Sequence, residues 1–169
     1  MLRTERLVLR PPDPEDLPDW TAFYKSERAV YIGGGPDAGD GRAWRTFATV
    51  LGHWPLNGCG MFAITLAESG RAIGFAGPWF PADWPEKELG WSIWSAAHEG
   101  CGYAFEAVSA VRAYAFDVLK WPAAVSYIDP ANARSRALAL RLGCVLDNDT
   151  PPPPGNEALV FRHPCGGAR

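Results

Sequence analysis

The 169 residues, 47% apolar and 21% charged, suit one globular domain and exclude a disordered or bilayer-spanning chain. A formal charge of −3 argues against nucleic acid as the main partner, since that role needs a basic surface. Four cysteines and three histidines lie scattered without a CxxC pair, so no metal centre and no disulfide framework is expected; free thiols in a cytoplasmic protein fit this pattern.

The opening "MLRTERLVLR" lacks the apolar stretch of a signal peptide, and "RLVLRP" (6–11) alternates in the strand period until the prolines stop it. "DPEDLPDWTAFYKSE" starts a helix, with acidic residues in the first turn where the helix dipole favours them. "IGGGPDAGDG" (32–41) reads as a loop, and "RAWRTFATVLGHW" (42–54) as a helix ending near Pro55. "GMFAITLAES" and "RAIGFAGPWF" form a hairpin across "ESGR", and "KELGWSIW" (87–94) is the next strand. A helix over 103–119 places Phe105, Val108, Val111, Tyr114 and Ala115 on one stripe. "AAVSYI" (123–128) is a buried strand, and "DPANARSRALALRLG" (129–143) a helix with a proline entry and a glycine exit. "CVLD" and "EALVFRH" supply two further strands around the stiff proline run at 151–154.

The order βααβββαβαββ predicts a mixed α/β single domain over residues 1–169, a mostly antiparallel sheet of about seven strands with about four helices packed on it. Eight tryptophans are expected in core and rim packing, with some lining a pocket or a subunit contact, which leaves a homodimer open.

"HEGCGYAFEA" (98–107) places two glycines where a helix begins. A strand, a glycine-bearing turn and a helix N-terminus together make an anion site, because free N–H groups leave the first turn and the helix dipole attracts negative charge. Without Cβ atoms at Gly100 and Gly102, a diphosphate can lie directly on the main chain. A plain tight turn has the same signature. The spacing is neither GxGxxG, since Phe105 stands at the third glycine position, nor a P-loop, since no GK[ST] follows.

The chain resembles the GCN5-related N-acetyltransferases (GNAT), whose acyl-CoA motif is Gln or Arg, two residues, Gly, one residue, then Gly or Ala. Glu99-Gly100-Cys101-Gly102-Tyr103-Ala104 matches from Gly102 onward, with Glu99 in place of Gln or Arg. "TERLVLRP" (4–11), "ELGWSIW" (88–94) and "DPANARSRALALRLGC" (129–144) are similar to the opening strand, fourth strand and Asp-Pro-x-Asn-x-x-Ser helix of the ribosomal-protein N-terminal acetyltransferase branch. The resemblance implies acetyl-CoA as co-substrate, no metal, and a primary amine of a small molecule or protein N-terminus as acceptor, without membrane or nucleic-acid partners. It makes 86–147 the acyl-CoA-binding core, and 12–58 with 148–156 the acceptor side, where Trp20, Tyr31 and Trp54 would wall the cleft.

By the same resemblance, residues Glu99 to Ala104 cradle the phosphates, and the main chain of Trp91, Ser92, Ile93 and Trp94 meets the pantetheine arm and thioester. Glu88 is the general base, although a strand-end Glu paired with Lys87 or Arg71 is the plainer reading; Glu86 and Asp83 are weaker candidates. Asn132 anchors the pantetheine or the strand-four backbone, and Ser135 donates a proton to the departing sulfur. Relatives that use a Tyr one turn later have no counterpart here, because Ala139 stands there. The plainer readings are a helix cap for Asn132 and a surface hydroxyl for Ser135. Arg134 and Arg136 either reach the ribose phosphate or solvate their helix. The alternative at the level of function is a non-catalytic acyl-CoA-binding or assembly module on the same fold.

Overall fold

The alternating aliphatics at the start form two strands, β1 (Leu2–Arg3) and β2 (Leu7–Arg10). The Thr4 hydroxyl accepts the Leu7 N–H at 3.1 Å and turns the chain between them. The computed structural model describes residues 1–165. Asp13 and Asp16 then cap one another's backbone N–H groups reciprocally, and Asp16 also takes Arg10 through both oxygens at 2.6 and 2.8 Å. That double anchor launches α1 (Leu17–Tyr24) from the end of β2.

Helix α2 (Asp40–Asn57) carries Pro55 inside its last turn and stops only at Gly58, whose φ of 70° is left-handed. The helix therefore outruns the expected end at Pro55. So near the C-terminus the proline removes one N–H bond and leaves no long ladder to break. Strands β3 (Phe62–Leu66), β4 (Ala72–Trp79) and β5 (Glu88–Ile93) form an antiparallel meander. After α3 (Tyr103–Ala113), which runs on as a π-turn at Tyr114–Val118, come β6 (Val125–Ile128), α4 (Ala133–Arg141), β7 (Val145–Asp147) and β8 (Leu159–Arg162). Helix α4 starts later than its sequence pattern, because Asp129 and Pro130 are spent on the turn that leads into it.

The eight strands make one sheet in the order β1-β2-β3-β4-β5-β6-β8-β7, and the segment expected as the fourth strand is the fifth because the first is split. Helix α3 covers one face through Ala107, Val108 and Val111 against Leu7, Leu9 and Ile64. Helices α1 and α2 cover the other through Trp20, Phe23 and Phe47 against Phe75 and Trp94.

Only β5 and β6 are parallel, and they pair at a single position, Glu88 with Val125. Past it the two strands part. Where the ladder ends, the Ser126 hydroxyl donates to Leu89 O at 2.6 Å, and His163 Nε2 lies 2.9 Å from Ser126 Oγ. Since that hydroxyl proton is committed to Leu89, Nε2–H donates to Ser126, and Nδ1 is left to accept the Cys144 thiol at 3.3 Å. Burial holds the His163 pKa down to about 4, so the ring stays neutral and the chain of donors is complete. Ser126→Ala orphans the His163 N–H in a site only 2% exposed. The expected loss is about 1–3 kcal/mol in a urea unfolding titration.

Candidate active site

The turn before α3 is built on two left-handed residues, Gly100 (φ 72°) and Gly102 (φ 83°), a conformation that costs a residue with a Cβ about 1–2 kcal/mol. Gly102 caps the helix, and Glu106 is the first residue to return an N–H to it, at 3.1 Å. The N–H groups of Gly102, Tyr103, Ala104 and Phe105 are therefore free of main-chain acceptors among the described residues. Arg6 steadies the turn by donating to Cys101 O at 2.9 Å while pairing with Glu106 at 2.8 Å. Cys101 itself points its exposed thiol toward the carbonyls of Ala97 and Glu99.

These N–H groups open into a cleft of about 1130 Å³ that runs from the α3 N-terminus to the gap between β5 and β6. Trp94 returns its N–H to Ile73 on β4 at 2.9 Å, so the alternation of the strand turns the main chain of Leu89, Trp91 and Ile93 toward that gap. Trp94 does not reach the cleft, since its indole packs edge-on against Phe75 in the core.

Glu99 is half-buried in the cleft wall and is not a bare negative charge. Its carboxylate pairs with Arg28 at 2.6 Å and Arg134 at 2.9 Å, and the Arg28 guanidinium chiefly holds it below the usual carboxylate range. Arg28 also donates to Ile93 O at 3.0 Å and Trp94 O at 3.3 Å, closing off the end of β5. With two guanidiniums on one carboxylate, this end of the cleft is net positive. Nothing in the sequence around Arg28 marks this role, because its partner is 71 residues away.

A second cavity, of about 380 Å³, lies on the α1–α2 side of the sheet. Trp91, Ser92, Asn132 and Ser135 border both spaces, so the two meet at the parting of β5 and β6. Asn132 Oδ1 caps α4 by accepting the Ser135 N–H at 3.1 Å. The Ser135 hydroxyl accepts Trp91 Nε1 at 3.3 Å, which leaves its own proton to give. Trp20 and Tyr31 wall the second cavity. Trp54 does not; its indole packs against Phe62 and donates to Met61 O.

Glu88, 8% exposed, extends into this cavity. Its partners are the Trp84 indole N–H at 2.6 Å and, weakly, the Tyr127 N–H at 3.5 Å. Trp84 stands four residues earlier in the turn before β5, where no local pattern marks a contact with Glu88. Among the described residues Glu88 has no ion pair, for Lys87 lies over the Trp121 and Phe80 rings and Arg71 faces Asp19 at 3.9 Å. Glu86 is taken by Arg162 at 2.9 Å, which holds it below its ordinary value. Burial pushes Glu88 up to about 7, against the opposing pull of the Trp84 and Tyr127 N–H groups.

Between pH 4.5 and 7 the folded chain keeps a proton on Glu88 that the unfolded chain has released, so stability is lost as pH rises through 7. Glu88→Gln escapes that loss. The variant is expected to exceed wild type by roughly 3 kcal/mol at pH 8 and to match it near pH 4, read from unfolding curves at both values.

The model of the acetyltransferase (GNAT) domain matches residues 6–145. Among solved structures, an acetyltransferase from Agrobacterium tumefaciens is 42% identical with a TM-score of 0.88, over 96% of this chain and 92% of that one. A GnaT-family protein from Bordetella pertussis is 28% identical with a TM-score of 0.79, over 96% and 98%. Spermidine N-acetyltransferase from Vibrio cholerae, solved with CoA and spermine, shares the fold at 18% identity and a TM-score of 0.68, over 94% of each chain. No curated protein matches. No described helix is long and apolar enough to cross a membrane. The family model spans most of the chain, and a 42% identical acetyltransferase shares its fold almost from end to end: this chain belongs to the GNAT acetyltransferases.

Proposed function

We propose that the protein moves the acetyl group of acetyl-CoA directly onto a primary amine held in the second cavity, with Glu88 as general base and Ser135 as proton donor. The observation that carries this reading is the buried Glu88 carboxyl, without an ion-pair partner among the described residues and poised near neutrality, in the cavity that meets the cleft at Ser135. Residues 86–147 carry most of the coenzyme side, joined by Arg28, and the acceptor side draws Trp20 and Tyr31 from 12–58 and Asn156 from 148–156 to stand around Glu88 and Asp129.

The free N–H groups of Gly102 to Phe105 receive the diphosphate, and the Arg28–Glu99–Arg134 cluster adds a net positive charge beside it. The β5 main chain at Trp91 and Ile93 lines up the pantetheine and offers N–H donors to the carbonyl oxygen as negative charge develops there. The coenzyme supplies a thioester activated toward attack. Glu88 takes a proton from the incoming ammonium, directly or through one water, and its raised pKa makes it a competent base at neutral pH. As the C–N bond forms and the C–S bond breaks, Ser135 passes its proton to the departing sulfur and regains one from the attacking nitrogen, while the Trp91 indole holds the hydroxyl in place. A non-catalytic acyl-CoA binder has no use for an isolated carboxyl buried in the second cavity, since such a group destabilises the fold at neutral pH.

Three outcomes are expected. Wild-type kcat/KM rises with pH through about 7, and Glu88→Gln flattens that limb and lowers kcat about 10²- to 10³-fold. Ser135→Ala costs only about 10- to 100-fold, because a thiolate leaves readily without help. Gly102→Ala weakens CoA about tenfold by calorimetry with little change in kcat, since its strain falls on the diphosphate turn. Wild-type rates in both Glu88→Gln and Ser135→Ala would remove the two assignments.

A further inference from the structure

We propose that the acceptor is a primary monoamine carrying an aromatic ring and no carboxylate. This inference rests on the amine-transfer reading and deepens it by naming the class of amine.

The walls of the second cavity carry the argument. Trp20, Tyr31, Phe75, Trp79, Trp84 and Trp91 all face it, with Val50 and Met61 filling the floor between α2 and β3. Among the described residues no lysine, arginine or histidine lines it, and its two ionisable acids are Glu88 and Asp129. Its volume of about 380 Å³ lies at the small end of ligand cavities, which run about 300–1,000 Å³. The Tyr31 hydroxyl reaches Ala131 O at 3.4 Å and narrows the mouth.

Each feature removes a class of acceptor. A substrate carboxylate would enter an apolar space with no cation to meet it and two acids to repel it, a heavy cost for a buried charge. A polyamine or aminoglycoside brings several ammonium groups. Beyond Glu88 the cavity offers them only Asp129, and one oxygen of that residue already accepts the Ala131 N–H at 2.7 Å. A single ammonium is well served. Asp129 attracts it, the electron-rich aromatic lining favours a cation, and Glu88 in the same cavity takes its proton. The remaining flat aromatic walls match a ring better than a polar chain.

The test measures thiol release from acetyl-CoA by the wild-type protein with 2-phenylethylamine, phenylalanine, spermidine, an aminoglycoside and a short peptide with a free N-terminus. CoA affinity is measured in parallel by calorimetry. The expected result is a kcat/KM for 2-phenylethylamine at least about 100-fold above phenylalanine and above each of the other three, the size of penalty an unpaired buried charge imposes. Equal or faster turnover of phenylalanine, spermidine, the aminoglycoside or the peptide overturns the class named here and leaves amine transfer standing. CoA binding with no turnover of any amine overturns the transfer reading itself, and this inference with it.

Discussion

The parting of β5 from β6 is the constraint on which the rest of the molecule depends. Two parallel strands that paired along their whole length would bury the main chain of Trp91 and Ile93 in a ladder. Here the ladder stops after Glu88 and Val125, and the Ser126 hydroxyl takes over with one bond to Leu89 O. The gap persists because each side is anchored elsewhere: β5 to β4 over six residue pairs, and β6 to β8 over four. The buried His163–Cys144 chain fixes where the opening begins. Both cavities, the free strand main chain and the placement of Glu88 at the fork follow from that single interruption.

Charge is distributed around the fork by the same logic. In the larger cleft a carboxylate is present but neutralised, because Arg28 and Arg134 converge on Glu99. In the second cavity a carboxyl is present with no guanidinium beside it among the described residues, so burial raises its affinity for a proton. Two glutamates eleven positions apart on neighbouring segments thus have opposite proton affinities, set by whether a guanidinium is in reach. Elsewhere the acids near the sheet are held conventionally. Arg162 gathers Glu86 and Asp147 across β8 and β7, and Arg10 takes Asp16.

Features that constrain the backbone were legible in the sequence. Gly100 and Gly102 are required by positive φ, and that requirement leaves a mark at the positions themselves. The strand alternation, the acidic helix start at Asp13 and the Asn132 cap are likewise local, and they gave the order of elements. Contacts across long separations were not legible. Arg28 reaches Glu99 over 71 residues, and Ser126 reaches His163 over 37, with no local pattern in either segment. Tryptophan was misleading for a related reason: composition gives its number but not its face. Trp94 and Trp54 went into packing, whereas Trp84 turned inward to hold Glu88, and among the described residues Trp44 alone is largely exposed.

The short segment Glu27–Ile32 borders both cavities, with Arg28 fastened to the end of β5 and Tyr31 and Ile32 facing each space. A guest in one chamber and a guest in the other would touch the same side chains, Tyr31 and Ile32. By thermodynamic reciprocity, whatever factor the first guest applies to the affinity of the second, the second returns to the first. On this segment Val30, Tyr31 and Ile32 are each more than two-fifths exposed, so exchanging these side chains alters the shared wall without touching the core of the sheet.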